Sequence, residues 1–246
     1  MTRPWKVLAT VATDEGALEL RQRGDDPANA EFLIVIAGRV LMTTTSRRSE
    51  EGLASLAFEH LGGRKAPRVL VGGLGMGFTA RAALDCLGAD AEVVVVEAAA
   101  EVIAWNRDPA LLGQLAAMPL GDRRLSVVNG DVGDAIERAA GSATDDARFD
   151  AILLDVDNGP SALSTFTNRR LYSEAGLISA RLALRAGGVL AVWSTFQDAR
   201  FTALLRAVGF DARTKRVLAG DGTPRRHVLW LARPATITAP ASPSPA

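Results

Sequence analysis

The apolar pattern of the chain falls into two rhythms. Short strand-like runs come first, at residues 6–12, 17–23 and 31–37. The turn-rich pieces Thr13-Asp14-Glu15-Gly16 and Gly24-Asp25-Asp26-Pro27 separate them. A fourth run at 39–43 follows Gly38. Strands joined this closely predict a small antiparallel sheet, too small to stand alone. Thr44, Thr45 and Ser46 then offer N-cap side chains to a helix predicted over 47–61, with Leu53, Leu56, Ala57 and Leu61 on one face and Gly62-Gly63 ending it.

From Arg68 the rhythm becomes strand, helix, strand. Strands are predicted at 69–71, 92–96, 125–128, 151–154 and 189–193, and helices at 78–87, 100–106, 133–140, 171–184 and 199–208. The runs at 151–154 and 189–193 are nearly all apolar, as strands covered on both faces are. Two last strands, 212–217 and 228–232, are joined through Gly220-Asp221-Gly222, so one strand of a parallel sheet runs antiparallel. The fold expected is α/β, a seven-stranded Rossmann-like sheet behind a small N-terminal antiparallel β-domain. The predicted division is 1–45 for the β-domain, 46–66 for a connecting helix, 67–233 for the α/β domain and 234–246 for a Pro/Ser/Ala/Thr-rich disordered tail.

Within this pattern VLVGGLGMGF, residues 69–78, is the most informative stretch. A strand that breaks into glycines and then opens a helix brings bare backbone and helix N–H groups against a nucleotide. The spacing Gly73, Gly75, Gly77 is G-x-G-x-G; the dinucleotide fingerprint needs glycine at 78, where Phe78 stands, which sets nicotinamide oxidoreductases last. Three carboxylates follow apolar strands on the same edge: Glu97, Asp131 and Asp155. Glu97 is placed to accept both hydroxyls of a ribose. Asp131 precedes a helix so closely that N-capping is its plain alternative. Asp155 is followed by the turn Asn158-Gly159-Pro160 rather than by a helix.

Composition narrows the classes. Lys plus Arg and Asp plus Glu both number 28, so no global field favours nucleic acid or an anionic membrane. One cysteine, Cys86, excludes an internal disulfide and fits a reducing cytoplasm; its place in the apolar series predicts a small buried side chain. Two distant histidines, His60 and His227, make a zinc site improbable, and no metal is expected. No apolar run reaches membrane-spanning length and MTRPWKVLATVATDEG lacks the apolar block of a signal peptide, so a cytosolic protein is expected.

The order VLVGGLGMGF, VVVVEAAAEVI, NGDVGDAI, FDAILLDVDNGP and LYSEAGLISARLALRAGGVLAVW resembles the spermidine synthase family, from about residue 32 to 231. The resemblance implies the class I methyltransferase fold with a small N-terminal β-domain. It implies that Gly73, Gly75, Gly77 and Glu97 hold the ribose and sulfonium end of an S-adenosyl donor, and that Asp131 with the Val132 backbone reads the adenine edge. Asp155 matches the first Asp of the family's D-x-x-D-P, which polarises or deprotonates the attacking amine. Dimers are common in that family, so a homodimer is expected.

The departures point to a changed acceptor. The family's G-G-G-D-G-G loop carries an Asp for the donor's free amine where this chain has Gly75. The second Asp of D-x-x-D is Asn158, with Asp157 beside it. The family's Gln and Tyr-His-Glu stretch is replaced by Leu41-Met42 and SRRSEEGLAS, and its Tyr-Pro-rich segment by GDGTPRRHVLW. Glu50 and Glu51 begin a helix, where the dipole favours acids; Glu50 is also a candidate for binding the acceptor amine. Arg47-Arg48 reads as a solvated turn, Arg225-Arg226-His227 as a solubilising stretch before an edge strand, and Trp193 as core. The sequence therefore favours methyl transfer from S-adenosylmethionine to a small amine. The alternatives are aminopropyl transfer from decarboxylated S-adenosylmethionine and a non-catalytic nucleoside-binding relative.

Overall fold

The computed structural model describes residues 3–25, 30–59, 61, 63–117, 119–156, 159–160 and 166–235. Strands β1 (Lys6–Thr13), β2 (Gly16–Arg23), β3 (Glu31–Ile36) and β4 (Arg39–Thr43) form an antiparallel meander in chain order. Leu18 pairs with Ile36 and Leu20 with Ile34, so the pleat sends all four to one face. That face, with Phe32, belongs to the same core as Val69, Val71, Ala151 and Leu153 of the larger sheet. The small sheet thus shares the core of the large one.

A 3-10 turn, Thr44–Ser46, leads into α1 (Arg48–Phe58). The expected hydroxyl cap of this helix is absent: Arg47 caps it without a side-chain bond. The hydroxyls are spent earlier, Thr43 on the amide of Thr45 and Thr44 on the amide of Phe32. The helix also stops at Phe58, short of the predicted 61. Leu53, Ala54 and Ala57 are fully buried.

The second sheet is built from β5 (Arg68–Gly72), α2 (Phe78–Cys86), β6 (Glu92–Glu97), α3 (Ala100–Arg107), β7 (Leu125–Asn129), α4 (Val132–Ala140), β8 (Phe149–Leu154), α5 (Phe166–Leu171), α6 (Glu174–Leu182), β9 (Leu184–Ser194), α7 (Ala199–Ala207), β10 (Phe210–Leu218) and β11 (Arg226–Pro234). Its strand order is β10-β11-β9-β8-β5-β6-β7, and β11 runs antiparallel to both its neighbours. The chain winds outward from β5 through β6 to β7, then returns to β8 on β5's other side. Such a reversal opens a crevice at the carboxyl ends of the strands. All six residues of β8 are buried. The face opposite the small sheet has its own core, where Leu70, Ile152, Leu190 and Trp230 meet Ile136, Leu177 and Phe201.

Two sequence expectations fail here. The helix predicted over 171–184 is two helices. Ser173 caps the second through the Gly176 amide at 3.2 Å, and Gly176 lies so close to the carbonyls of Arg170 and Leu171 that any side chain would overlap them. The apolar period continues through Ser173, which hides the break. Cys86 is exposed, because α2 ends there and its buried residues stop at Leu84.

At the amino end of β8, Asp150 is almost completely enclosed. Its carboxylate accepts from Arg64 at 2.5 Å, Arg185 at 2.8 Å and the Arg68 amide at 2.7 Å. Asp150→Ala leaves these donors without their acceptor and is expected to cost about 3–5 kcal/mol. A urea midpoint unchanged from wild type would contradict this account.

Candidate active site

The loop after β5 turns on three left-handed glycines, Gly73 (φ +87°), Gly75 (φ +51°) and Gly77 (φ +82°). A side chain at Gly73 would run into the carbonyl oxygen of Asp155, and one at Gly77 would meet Pro119 Cγ at 2.8 Å. One at Gly75 would meet Met42 Sδ at 2.7 Å. Backbone at Gly73 and a proline ring at Gly77 bar any side chain there, while at Gly75 the left-handed φ favours glycine and only the flexible end of Met42 would have to move. The loop's back is held by Asn106 of α3, whose buried amide donates to the carbonyl of Gly75 at 2.8 Å. Met42, from the end of β4, lies against the loop with its sulfur 3.1 Å from the Met76 amide. Nothing in the residue pattern singles out either side chain.

Glu97 ends β6, and both its oxygens accept backbone amides: Leu74 at 2.8 Å on Oε2 and Ala99 at 2.9 Å on Oε1. It ties β6 to the glycine loop. Oε2 also accepts the Gly75 amide at 3.5 Å, while Oε1 keeps a second lone pair on which a ribose hydroxyl can be accepted. Asp131 caps α4 through the Gly133 amide at 2.6 Å, and its other oxygen lies 3.3 Å from Arg170, which also pairs with Asp134 and Glu137. Val132 is buried directly beneath Gly72.

Asp155 follows the last residue of β8, its amide bound to the carbonyl of Gly72 at 3.0 Å. The residue is partly exposed but its carboxyl group is shielded. Burial pushes its pKa up to about 6, against the opposing pull of the Thr79 hydroxyl, which donates to Oδ2 at 2.5 Å. Among the described residues no cation pairs with it. Glu50 is 4% exposed, and its Oε2 has no hydrogen-bond partner. Burial, then the charge of Asp155, then that of Glu51 hold its carboxyl well above the ordinary carboxylate range. The two acids that begin α1 thus differ: Glu51 is half-exposed beside Arg47, and Glu50 points inward. The structure brings Glu50 and Asp155 together; Asp157 and Asn158 lie outside the described residues.

A polar trio pins the first turn of α1. Ser49 is fully buried; its hydroxyl accepts from the Trp193 indole at 3.0 Å and lies 2.8 Å from His227 Nδ1. The Trp193 and His227 rings meet edge to face at 4.7 Å. The reading of 225–227 as a solubilising stretch before an edge strand fails in two respects: β11 lies between β10 and β9, and His227 is buried at its start, while Arg225 and Arg226 are exposed. Burial, then the charge of Arg225, lowers its pKa to about 4, so the imidazole is neutral near pH 7. Strand alternation could have flagged it, since His227 stands two residues from buried Leu229.

Searches with the sequence against family models and against curated proteins found no match. Solved structures do match the fold. A spermidine synthase in complex with the transition-state analogue AdoDATO superposes with a TM-score of 0.70 at 19% identity, over 92% of this chain and 73% of that one. The spermidine synthase from Thermotoga maritima gives a TM-score of 0.67 at 18% identity, over 92% of this chain and 72% of that one. The fold is that of the spermidine synthases. The glycine loop, Glu97 and Asp155 lie at the carboxyl ends of β5, β6 and β8. No group of three or more His, Cys, Asp or Glu residues is set to hold a metal among the described residues, and no helix there is long and apolar enough to cross a membrane.

Two stability effects follow. Glu97→Ala frees two loop amides and should cost about 1–3 kcal/mol in chemical unfolding, where the sequence alone predicts an intact fold. Glu50→Gln should stabilise. The folded protein holds the Glu50 proton above pH 4.5, where the unfolded chain has lost it, so wild-type stability falls as pH rises toward the folded value. The gain in Tm on Glu50→Gln is therefore expected to grow from pH 5 to pH 8; a gain equal at both would contradict the buried-acid assignment.

Proposed function

We propose that this protein is a transferase that moves an alkyl group from an S-adenosyl sulfonium donor to the nitrogen of a cationic amine. The observation that carries the reading is Asp155, a shielded carboxylate with no cation beside it among the described residues, whose backbone abuts the glycine loop. An acid left unpaired in such a place lacks the compensation that buried charges ordinarily have. A protonated amine supplies it.

The residues present suit the donor. The left-handed glycines leave a cradle that side chains would fill, and Glu97 stands beside it with a lone pair to spare on Oε1. Gly73, Gly75, Gly77 and Glu97 would hold the ribose and sulfonium end, and Val132's backbone with Asp131 the adenine. When bound, the donor supplies an electrophilic carbon next to a positive sulfur. Asp155 attracts the acceptor's ammonium and, with Glu50 beside it, takes over its hydration, so that positioning supplies most of the rate. A cytosolic location and a homodimer belong to the same proposal.

Aminopropyl transfer from decarboxylated S-adenosylmethionine takes precedence over the methyl transfer that the sequence favours, because the fold is that of spermidine synthases, one of them in complex with AdoDATO. Methyl transfer is kept as a second reading on one observation: Gly75 and Met42 put no charge where the resembled family has an Asp for the donor amine.

Incubation with each donor and putrescine, read by mass spectrometry, tests both. Spermidine from the decarboxylated donor is expected; methylated putrescine from S-adenosylmethionine would favour the second reading, and neither product would defeat the proposal for this acceptor. Asp155→Asn should leave donor affinity within about threefold and lower turnover roughly 10²-fold or more. Full turnover would return Asp155 to a structural role. Gly75→Asp reads donor choice only once the variant is shown to fold, since its left-handed φ strains the new residue and the end of Met42 must move aside.

A further inference from the structure

We propose that Glu50 takes the proton from the acceptor's ammonium, leaving Asp155 to hold and orient it. The inference rests on the amine-acceptor reading above and assigns the base within it. A primary amine near pH 7 is an ammonium with no lone pair, so one N–H bond must break before nitrogen can attack. The electron pair stays on nitrogen, the proton forms an O–H bond at Glu50 Oε2, and ammonium plus carboxylate become amine plus carboxylic acid.

The surroundings of the two acids divide the roles. Asp155 receives a hydroxyl proton from Thr79 at 2.5 Å, a bond that favours its anion and fixes its direction. Glu50 Oε2 receives no bond and is closed off from water. The titratable and charged groups about Glu50 leave it without a competing cation among the described residues. Asp155 at the end of β8 and Glu51 on its own helix are acids. From β11, His227 is neutral and turned to Ser49. From β10, Lys215 pairs with Glu59 at the far end of α1, and from α2 Arg81 pairs with Asp85. An isolated acid of this kind keeps its proton until a cation arrives, then becomes the stronger base of the pair. Ser49, clamped by Trp193 and His227, holds the turn from which Glu50 projects.

In the amine-free protein burial and the neighbouring Asp155 favour the protonated form of Glu50, so an entering ammonium displaces its proton to solvent. Calorimetric titration of putrescine into the protein at pH 7, in two buffers of different ionisation enthalpy, counts that proton. Near one proton released by wild type and near none by Glu50→Gln is expected. Asp155→Asn should shift the release to lower pH, by removing a neighbouring charge, without abolishing it. Binding without release in wild type, undiminished release in Glu50→Gln, or loss of release only in Asp155→Asn would each overturn the assignment while leaving the amine site intact. No putrescine binding by wild type would overturn both readings. Circular dichroism and donor affinity show that each variant is folded.

Discussion

A close backbone approach at the sheet's carboxyl edge ties together the loop and the acid on which the reading of the site depends. The carbonyl oxygen of Asp155 occupies the space where a side chain at Gly73 would begin, while the amide of Asp155 binds the carbonyl of Gly72. This contact can form only if β5 and β8 are in register and the residue after β5 is glycine. It brings the loop read as the donor cradle and the acid read as the acceptor anchor within one backbone contact. The Gly73 amide on Val96 and the Glu97 carboxylate on Leu74 then carry β6 into the same assembly. Reactive geometry is thereby set by strand register, the stiffest feature available to an α/β fold.

Strand β8 and the residue after it show how differently one chain treats two acids. Asp150 and Asp155 stand at opposite ends of the run FDAILLD. Asp150 has two guanidinium groups and a backbone amide as partners. Asp155 has one hydroxyl and, among the described residues, no cation. The electrostatic means to satisfy a buried carboxylate are thus present on this strand and are applied at its amino end only. Leaving an acid unpaired at the carboxyl end costs stability, and burying Glu50 near it raises that cost. Perturbed acids placed in this way are what the proposed amine site rests on.

The sheet was legible in the sequence because its strands are apolar runs and its loop must be glycine, two constraints that local pattern expresses directly. Ten of the eleven strands lie within two residues of where the pattern puts their ends; β9 begins at Leu184, five residues before the predicted 189 and at the end of the span read as helix. What the pattern misses depends on contacts between distant segments. The start of α1 follows from Thr44 bonding across to Phe32. The break before α6 follows from Ser173 capping inside an unbroken apolar period. His227 looks like part of a basic stretch until pairing with β9 turns it inward to Ser49. Glu50 and Glu51 are identical in type and adjacent; only the direction α1 faces, set by Leu53, Ala54 and Ala57, sends one inside.

The same contrast explains why the two halves of the site differ in how closely they match the resembled family. The donor half is made largely of backbone: glycines in left-handed conformation, loop amides on Glu97, and a helix opening at Phe78. Backbone recognition constrains residue type only where a side chain would intrude, so the motif persists as glycines. The half read as the acceptor site is made of side chains, with Glu50 brought by α1 and Asp155 by the end of β8. Met42 marks the boundary between them, a side chain from the small sheet seated against the glycine loop. The small sheet therefore lays one wall of the loop, while the strand register that holds the glycines lies in the larger sheet, so side chains on the small sheet and on α1 can vary without altering that register.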